Sequence, residues 1–210
     1  MVENIGTILE QYLQETAKSH KHLCPRQVLG VRMGLIAGKV FDFSFPQSEK
    51  RFLSISETDG CFVDGLSVVT NCTVGHRTLR IEDYGKIAAT IIDTETEKTI
   101  RFAPGPGIRT LAREYAPPGS SKWQAYLLGY QRMSDDELFV FQPVKLLTPL
   151  QSIISRPGRK SICISCGEEI MNEREIVSKG NSYCKPCLYG GYYETITVHE
   201  ELIRDKVQCC

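Results

Sequence analysis

The apolar positions Ile5, Ile8, Leu9, Tyr12 and Leu13 recur at i, i+3, i+4, i+7 and i+8, one face of an amphipathic helix that the pattern ends near Ser19. After a break at His20 to Cys24, Pro25 suits the first position of a second helix running to about Val40, with Cys24 as its N-cap. This helix carries Gly30, Gly34 and Gly38 at a spacing of four, a smooth stripe that costs helix propensity and predicts another helix or a sheet packed very near. Arg51 to Glu57 alternates like a strand. Residues 60–70, GCFVDGLSVVT, read as a short helix that brings Cys61, Asp64 and Val68 onto adjacent turns, with Cys72 just past its end.

The segments GHRTLRIED, KIAATIID and KTIRFAP read as three strands, the last two joined by a polar hairpin around Glu95 to Lys98, which predicts an antiparallel sheet. Pro104-Gly105-Pro106-Gly107 marks a turn. Ile108–Tyr115 and Trp123–Met133 read as helices, and Ser134 with Glu137 has the form of a capping box ahead of the strand-like FVFQPVKLL. The Pro- and Gly-containing, basic run TPLQSIISRPGRK has linker composition. The expected architecture is α+β: a core over residues 1–150 with an antiparallel sheet packed by helices, a linker over 151–160, and a small C-terminal module over 161–210.

Composition supports a folded core, with 41% hydrophobic and 24% charged residues in a chain of 210. Lys+Arg and Asp+Glu balance at 25 each, which argues against a broad electrostatic footprint for nucleic acid or anionic membrane. The opening segment MVENIGTILEQYLQET is polar and acidic, and no uninterrupted apolar stretch approaches eighteen residues, so a cytoplasmic protein is expected. Nine cysteines, an odd number with pairs two residues apart, fit metal and thiol chemistry better than a disulfide framework.

Cys163-x2-Cys166 is followed after seventeen residues by Cys184-x2-Cys187, the spacing of a four-thiolate zinc site rather than an iron–sulfur cluster or two redox pairs. Four thiolates leave no coordination position for water or substrate, so this zinc is structural. The segment resembles treble-clef and ribbon fingers. Its modest charge favours contact with protein, or support of a dimer, over nucleic acid. Cys209 and Cys210 lie on an unpatterned tail and receive no role.

A second concentration of chemistry precedes the second helix: His20-x-His22-x-Cys24-Pro25. Alternate residues of an extended chain face one side, so two of these three side chains would share a metal or a proton. A thiol at a helix N-cap is also favoured as thiolate. Cys61 with Asp64 one turn later, after the turn-like Asp59-Gly60, places a thiol and a carboxylate together at a helix start. Solvated histidines and buried, inert cysteines are the bland alternative.

The segments HKHLCPRQVLGVRMG and ETDGCFVDGLSVVTNCTVGHRTLRIEDYGK, followed by the four-cysteine finger, resemble the family named for the E component of formylmethanofuran dehydrogenase (FmdE). The resemblance implies a dimeric α+β core with an auxiliary C-terminal treble-clef finger. It implies a cleft lined by His20, His22, Cys24, Cys61, Asp64 and Cys72, and association with a molybdenum or tungsten redox enzyme whose pterin this component does not carry. Arg26 and His76 depart from residues common in the family. Arg26 beside Cys24 would favour thiolate and bind an anionic substrate group, and His76 would add an imidazole to a metal site.

Two functions are expected from these residues. In one, some of His20, His22, Cys24 and Cys61, supported by Asp64, hold a second transition metal (zinc, nickel or iron) with a position open to substrate; Arg26, Cys72 and His76 are the candidate substrate contacts. In the other, the chain is a non-catalytic adaptor for a redox enzyme or nucleic acid. Thiol chemistry at Cys24 is a further expectation, with Cys61 and Asp64 beside it.

Overall fold

The computed structural model describes residues 5–18, 20, 22–154 and 156–194, with side chains from residue 8 onward. The tail that carries Cys209 and Cys210, and the position of Ser19, lie outside the described residues. The chain divides into two compact units, Met1–Leu150 and Gln151–Cys210. No described helix is long and apolar enough to cross a membrane.

The first unit opens with α1 (Ile5–Ala17) and α2 (Pro25–Phe41), the latter with Pro25 at its first turn. Then come β1 (Phe52–Ser56), α3 (Cys61–Thr70), β2 (Leu79–Ile81), β3 (Ala89–Asp93) and β4 (Thr99–Pro104). Two short helices and a longer one follow: α4 (Ile108–Leu111), α5 (Lys122–Arg132) and α6 (Asp135–Leu138). Strand β5 (Phe139–Pro143) closes the sheet and α7 (Leu150–Ile154) falls in the segment of linker composition. Ser134 accepts the Glu137 N–H at 3.3 Å, so the capping box of the sequence does start a helix, though a helix of one turn.

The sheet runs in the order β2-β1-β3-β4-β5. Its pairs are antiparallel except the edge pair, where β2 lies parallel to β1 in the register Ser54↔Leu79. The antiparallel sheet expected from the strands therefore has one parallel edge. A strand that returns through a helix, here α3, enters alongside its predecessor in the same direction.

The glycine stripe of α2 meets α3. A Cβ at Gly30 would lie 2.1 Å from the Phe62 carbonyl oxygen, and one at Gly65 of α3 would lie 2.3 Å from the Gln27 carbonyl oxygen. Gly34 faces Val69 one turn on, so both chains advance together and the helices are parallel. Removing both side chains lets the two backbones touch, which is what a small-residue stripe offers to packing. Beneath them Val28, Val31, Met33, Phe62, Leu66, Ile91 and Phe102 are fully buried and join helices to sheet.

Arg32 is the other organising residue of α2. Nearly buried, it donates from Nη1 to the Tyr130 carbonyl at 2.8 Å and from Nη2 to the Met133 carbonyl at 2.9 Å and Asp135 Oδ1 at 2.7 Å. A cation on the open carbonyls at the end of α5 satisfies both their hydrogen bonding and the helix dipole. It fixes α5 against α2.

The second unit has two small antiparallel hairpins, β6 (Lys160–Ile162) with β7 (Glu169–Met171) and β8 (Ile176–Ser178) with β9 (Asn181–Tyr183), followed by α8 (Lys185–Tyr189).

Candidate functional site

The parallel packing of α2 and α3 sets their N-termini side by side. Cys24 is the N-cap of α2, its N–H held by Gln27 Oε1 at 2.8 Å. Gly60, at φ 77°, turns the chain into α3 in a conformation that L side chains rarely adopt, and Cys61 is the first helical residue. The two thiols are neighbours: Gly65, four residues after Cys61, meets the carbonyl of Gln27, three residues after Cys24, so both sulfurs stand about one turn before the same contact. Burial first, and then the neighbouring Cys24 sulfur, push the Cys61 thiol up, so it keeps its proton at neutral pH.

Both cysteines line a cavity of about 870 Å³. Its cationic groups are Arg26, Lys86, Arg101 and Arg109, and its aromatic wall is Trp123, Tyr126 and Tyr130 of α5. Among the described residues no carboxylate-bearing one lines it. Arg101, on β4, is held by Glu57, just past the end of β1, whose Oε2 accepts Nη2 at 2.7 Å; that guanidinium keeps the Glu57 carboxyl below its ordinary range. Arg26, Lys86 and Arg109 form no ion pair among the described residues. Tyr126 and Tyr130 are stacked at 5.8 Å with their planes 13° apart, and burial raises the Tyr130 phenol. A flat ring fits against such a wall, and an anion would be drawn to the cations.

The residues expected from sequence fall in three places. Cys24, Cys61 and Arg26 line the cavity. His20 and Asp64 form a pair of their own, Nε2 to Oδ2 at 2.7 Å, one helical turn from Cys61, and the His22 ring stands edge-on to Trp123 at 6.3 Å. Cys72 and His76 do not line it. Cys72 is fully buried, accepting from Gln47 Nε2 at 3.2 Å, and His76 sits in an exposed turn. Among the described residues, His20, His22, Cys24 and Cys61 do not gather into a ligand set; the group that does is the C-terminal one.

The aromatic wall and the cations Lys86, Arg101 and Arg109 are not evident from the sequence. They come from the β2–β3 loop, β4, α4 and α5, and periodicity shows elements without showing which ends converge. Arg109 after a Pro-Gly-Pro-Gly turn is the one hint of them in the chain.

In the second unit the sulfurs of Cys163, Cys166, Cys184 and Cys187 all lie within 4.8 Å of one another, the arrangement that holds one metal ion. The Cys163 N–H bonds to the Glu168 carbonyl at 2.9 Å and Gly167, at φ 78°, tightens the turn. Cys184 caps α8 and gives its N–H to Cys163 Sγ at 3.3 Å. Backbone N–H groups, that of Cys184 foremost, bring the Cys163 thiol down to about 6. Cys166 receives an N–H from Glu168, but burial and the neighbouring thiols push it up to about 12. Four sulfurs competing for so few charges are what a divalent cation relieves.

The family model described as "FmdE, Molybdenum formylmethanofuran dehydrogenase operon" matches residues 19–140. The chain belongs to the FmdE family. The matched span covers α2 to α6 with strands β1 to β4, and hence the whole cavity wall. The crystal structure of a tungsten formylmethanofuran dehydrogenase FmdE-like protein from Syntrophus aciditrophicus shares the fold, with a TM-score of 0.57 and 20% identity over 89% of this chain and 95% of that one. A probable S-adenosyl-L-methionine-binding protein of Archaeoglobus fulgidus is 35% identical over 96 residues, 44% of this chain and 26% of that protein. The FmdE chain thus spans about a quarter of the length of that relative.

Proposed function

We propose that the core is a small-molecule-binding module for a ligand that joins a flat ring to an anionic group, bound with its reacting part beside Cys24 and Cys61. The observation that carries this is a cavity wall with four cationic side chains, three aromatic rings and, among the described residues, no carboxylate. Among the described residues Arg101 alone of the four forms an ion pair, with Glu57, so an incoming carboxylate or phosphate meets more cationic than anionic charge on this wall. The name of the Archaeoglobus fulgidus relative supports the ring part of this class, because S-adenosyl-L-methionine carries an adenine ring, although its sulfonium and ammonium outweigh its carboxylate. Zinc in the C-terminal cluster would supply folding free energy to a unit with few large apolar side chains, and its closed coordination leaves no room for catalysis.

The test is a thermal-shift comparison of adenosine monophosphate and adenosine. A rise in melting temperature for adenosine monophosphate and none for adenosine supports the reading. A rise for adenosine alone counts against it.

A second reading, that the C-terminal unit docks a protein partner, rests on Ile162, Ile164, Met171, Val177, Tyr189, Tyr192 and Tyr193, all exposed. The family's tie to a dehydrogenase operon makes a redox enzyme the partner to try.

A further inference from the structure

Cys24 and Cys61 differ from the rest of the core's sulfur in three respects. Each sits at the start of its helix, each is partly exposed on the cavity wall, and each lies about one turn before the backbone contact between Gly65 and Gln27. Cys72, by contrast, is fully enclosed between Gln47 and the Phe52 carbonyl. The Gly30–Gly65 contact holds the two helix backbones together, so the separation of the two thiols is set by packed main chain. Cys24 and Cys61 each lie about one turn before the Gly65–Gln27 contact and open onto the same cavity, so side-chain rotation on two fixed backbones is the movement that a disulfide between them requires. The cavity supplies the route by which a small reagent reaches them.

We propose that Cys24 and Cys61 form a redox-active dithiol that is oxidised to an intramolecular disulfide by small disulfides entering the cavity. One thiolate attacks a sulfur of R–S–S–R, forming a mixed disulfide and releasing one RS⁻. The neighbouring cysteine, giving up its proton, attacks the protein sulfur of that mixed disulfide and releases the second RS⁻. The protein loses two protons and two electrons, and the small disulfide becomes two thiols. The reverse reaction with a dithiol restores the pair. The exchange requires no metal in the core. It also stands apart from the anionic-ligand reading, which adds only that an anionic disulfide should react faster than a cationic one.

The experiment treats the full chain, zinc-loaded, with 3,3′-dithiodipropionate, alkylates the remaining thiols and maps tryptic peptides. The expected product joins the His22–Arg26 peptide to the Phe52–Arg77 peptide, with fragment ions that place the bond at Cys61 and not at Cys72. In Cys61→Ser the mixed disulfide at Cys24 should accumulate at least about tenfold above the parent level, because its resolving thiol is gone. Circular dichroism of that variant confirms its fold. Cys24 and Cys61 recovered alkylated and unlinked from the parent chain, or a bond to Cys72 in place of Cys24, would overturn the proposal. Repeating the reaction with cystamine separates the two readings: a linked product at equal rates with both reagents refutes the cationic cavity as a selector and leaves the dithiol standing.

Discussion

Gly30 of α2 rests on the Phe62 carbonyl of α3, and Gly65 of α3 answers on the Gln27 carbonyl of α2. The contact is main chain to main chain, so neither partner can swing aside. Everything placed at this end of the two helices, Cys24, Arg26 and Cys61, inherits its position from it.

Gly30→Ala or Gly65→Ala should therefore destabilise the core by about 2 to 3 kcal/mol, the cost of overpacking a site that can only relax by parting helices. In a chain of this size that corresponds to a fall in melting temperature of about 5 to 10 °C, readable by calorimetry. A fall no larger than a degree or so would show that the helices part easily.

Arg32→Met should cost about 2 to 3 kcal/mol, because it strips donors from the carbonyls of Tyr130 and Met133 and leaves Asp135 to Lys39 alone. Since Trp123 rides on the helix that Arg32 anchors, its fluorescence should change in the native variant. Unfolding measured with an unaltered native spectrum would deny Arg32 its role in placing the aromatic wall.

Asp93 gives the core a signature in acid. The Arg51 guanidinium foremost, with Thr96 and the Glu95 N–H, holds its carboxyl at about 2, against 3.8 ordinarily. The folded value lies below the unfolded one, so the stabilisation is present above pH 4 and is lost as pH falls toward 2. Arg51 is partly exposed, which screens the pair and leaves about 1 to 2 kcal/mol at stake. Asp93→Asn should remove that loss between pH 4 and 2 in urea titrations, while a parallel pH profile for parent and variant would contradict it.

Cys184→Ser should lower zinc content from about one equivalent per chain to near zero and abolish protection of residues 160–189 in hydrogen exchange, with the core transition unmoved. Retained metal would show that the four sulfurs are not its ligands.

Much of this is legible in the sequence. The glycine spacing of four announces a close helix contact, the paired CxxC motifs announce a metal site, and the His/Cys segment with DGCFVDG carries the family resemblance. The direction of β2 is not legible, because a three-residue strand reads the same whether it pairs parallel or antiparallel. Nor are the cavity's cations and rings, which come from separate elements whose ends converge only in the fold. Cys72 and His76 sit near the motif in sequence, yet β1 and α3 enclose the one and the turn after α3 carries the other to the surface.

Isothermal titration of adenosine monophosphate into the parent chain and into a folded Arg26→Ala/Arg109→Ala variant decides whether the cavity binds a ring with an anionic tail. Saturable binding to the parent is expected, weakened by added salt and at least about tenfold weaker in the variant, since two charge-assisted contacts are lost. Equal affinity in both proteins, or no binding of adenosine monophosphate to the parent, would contradict it.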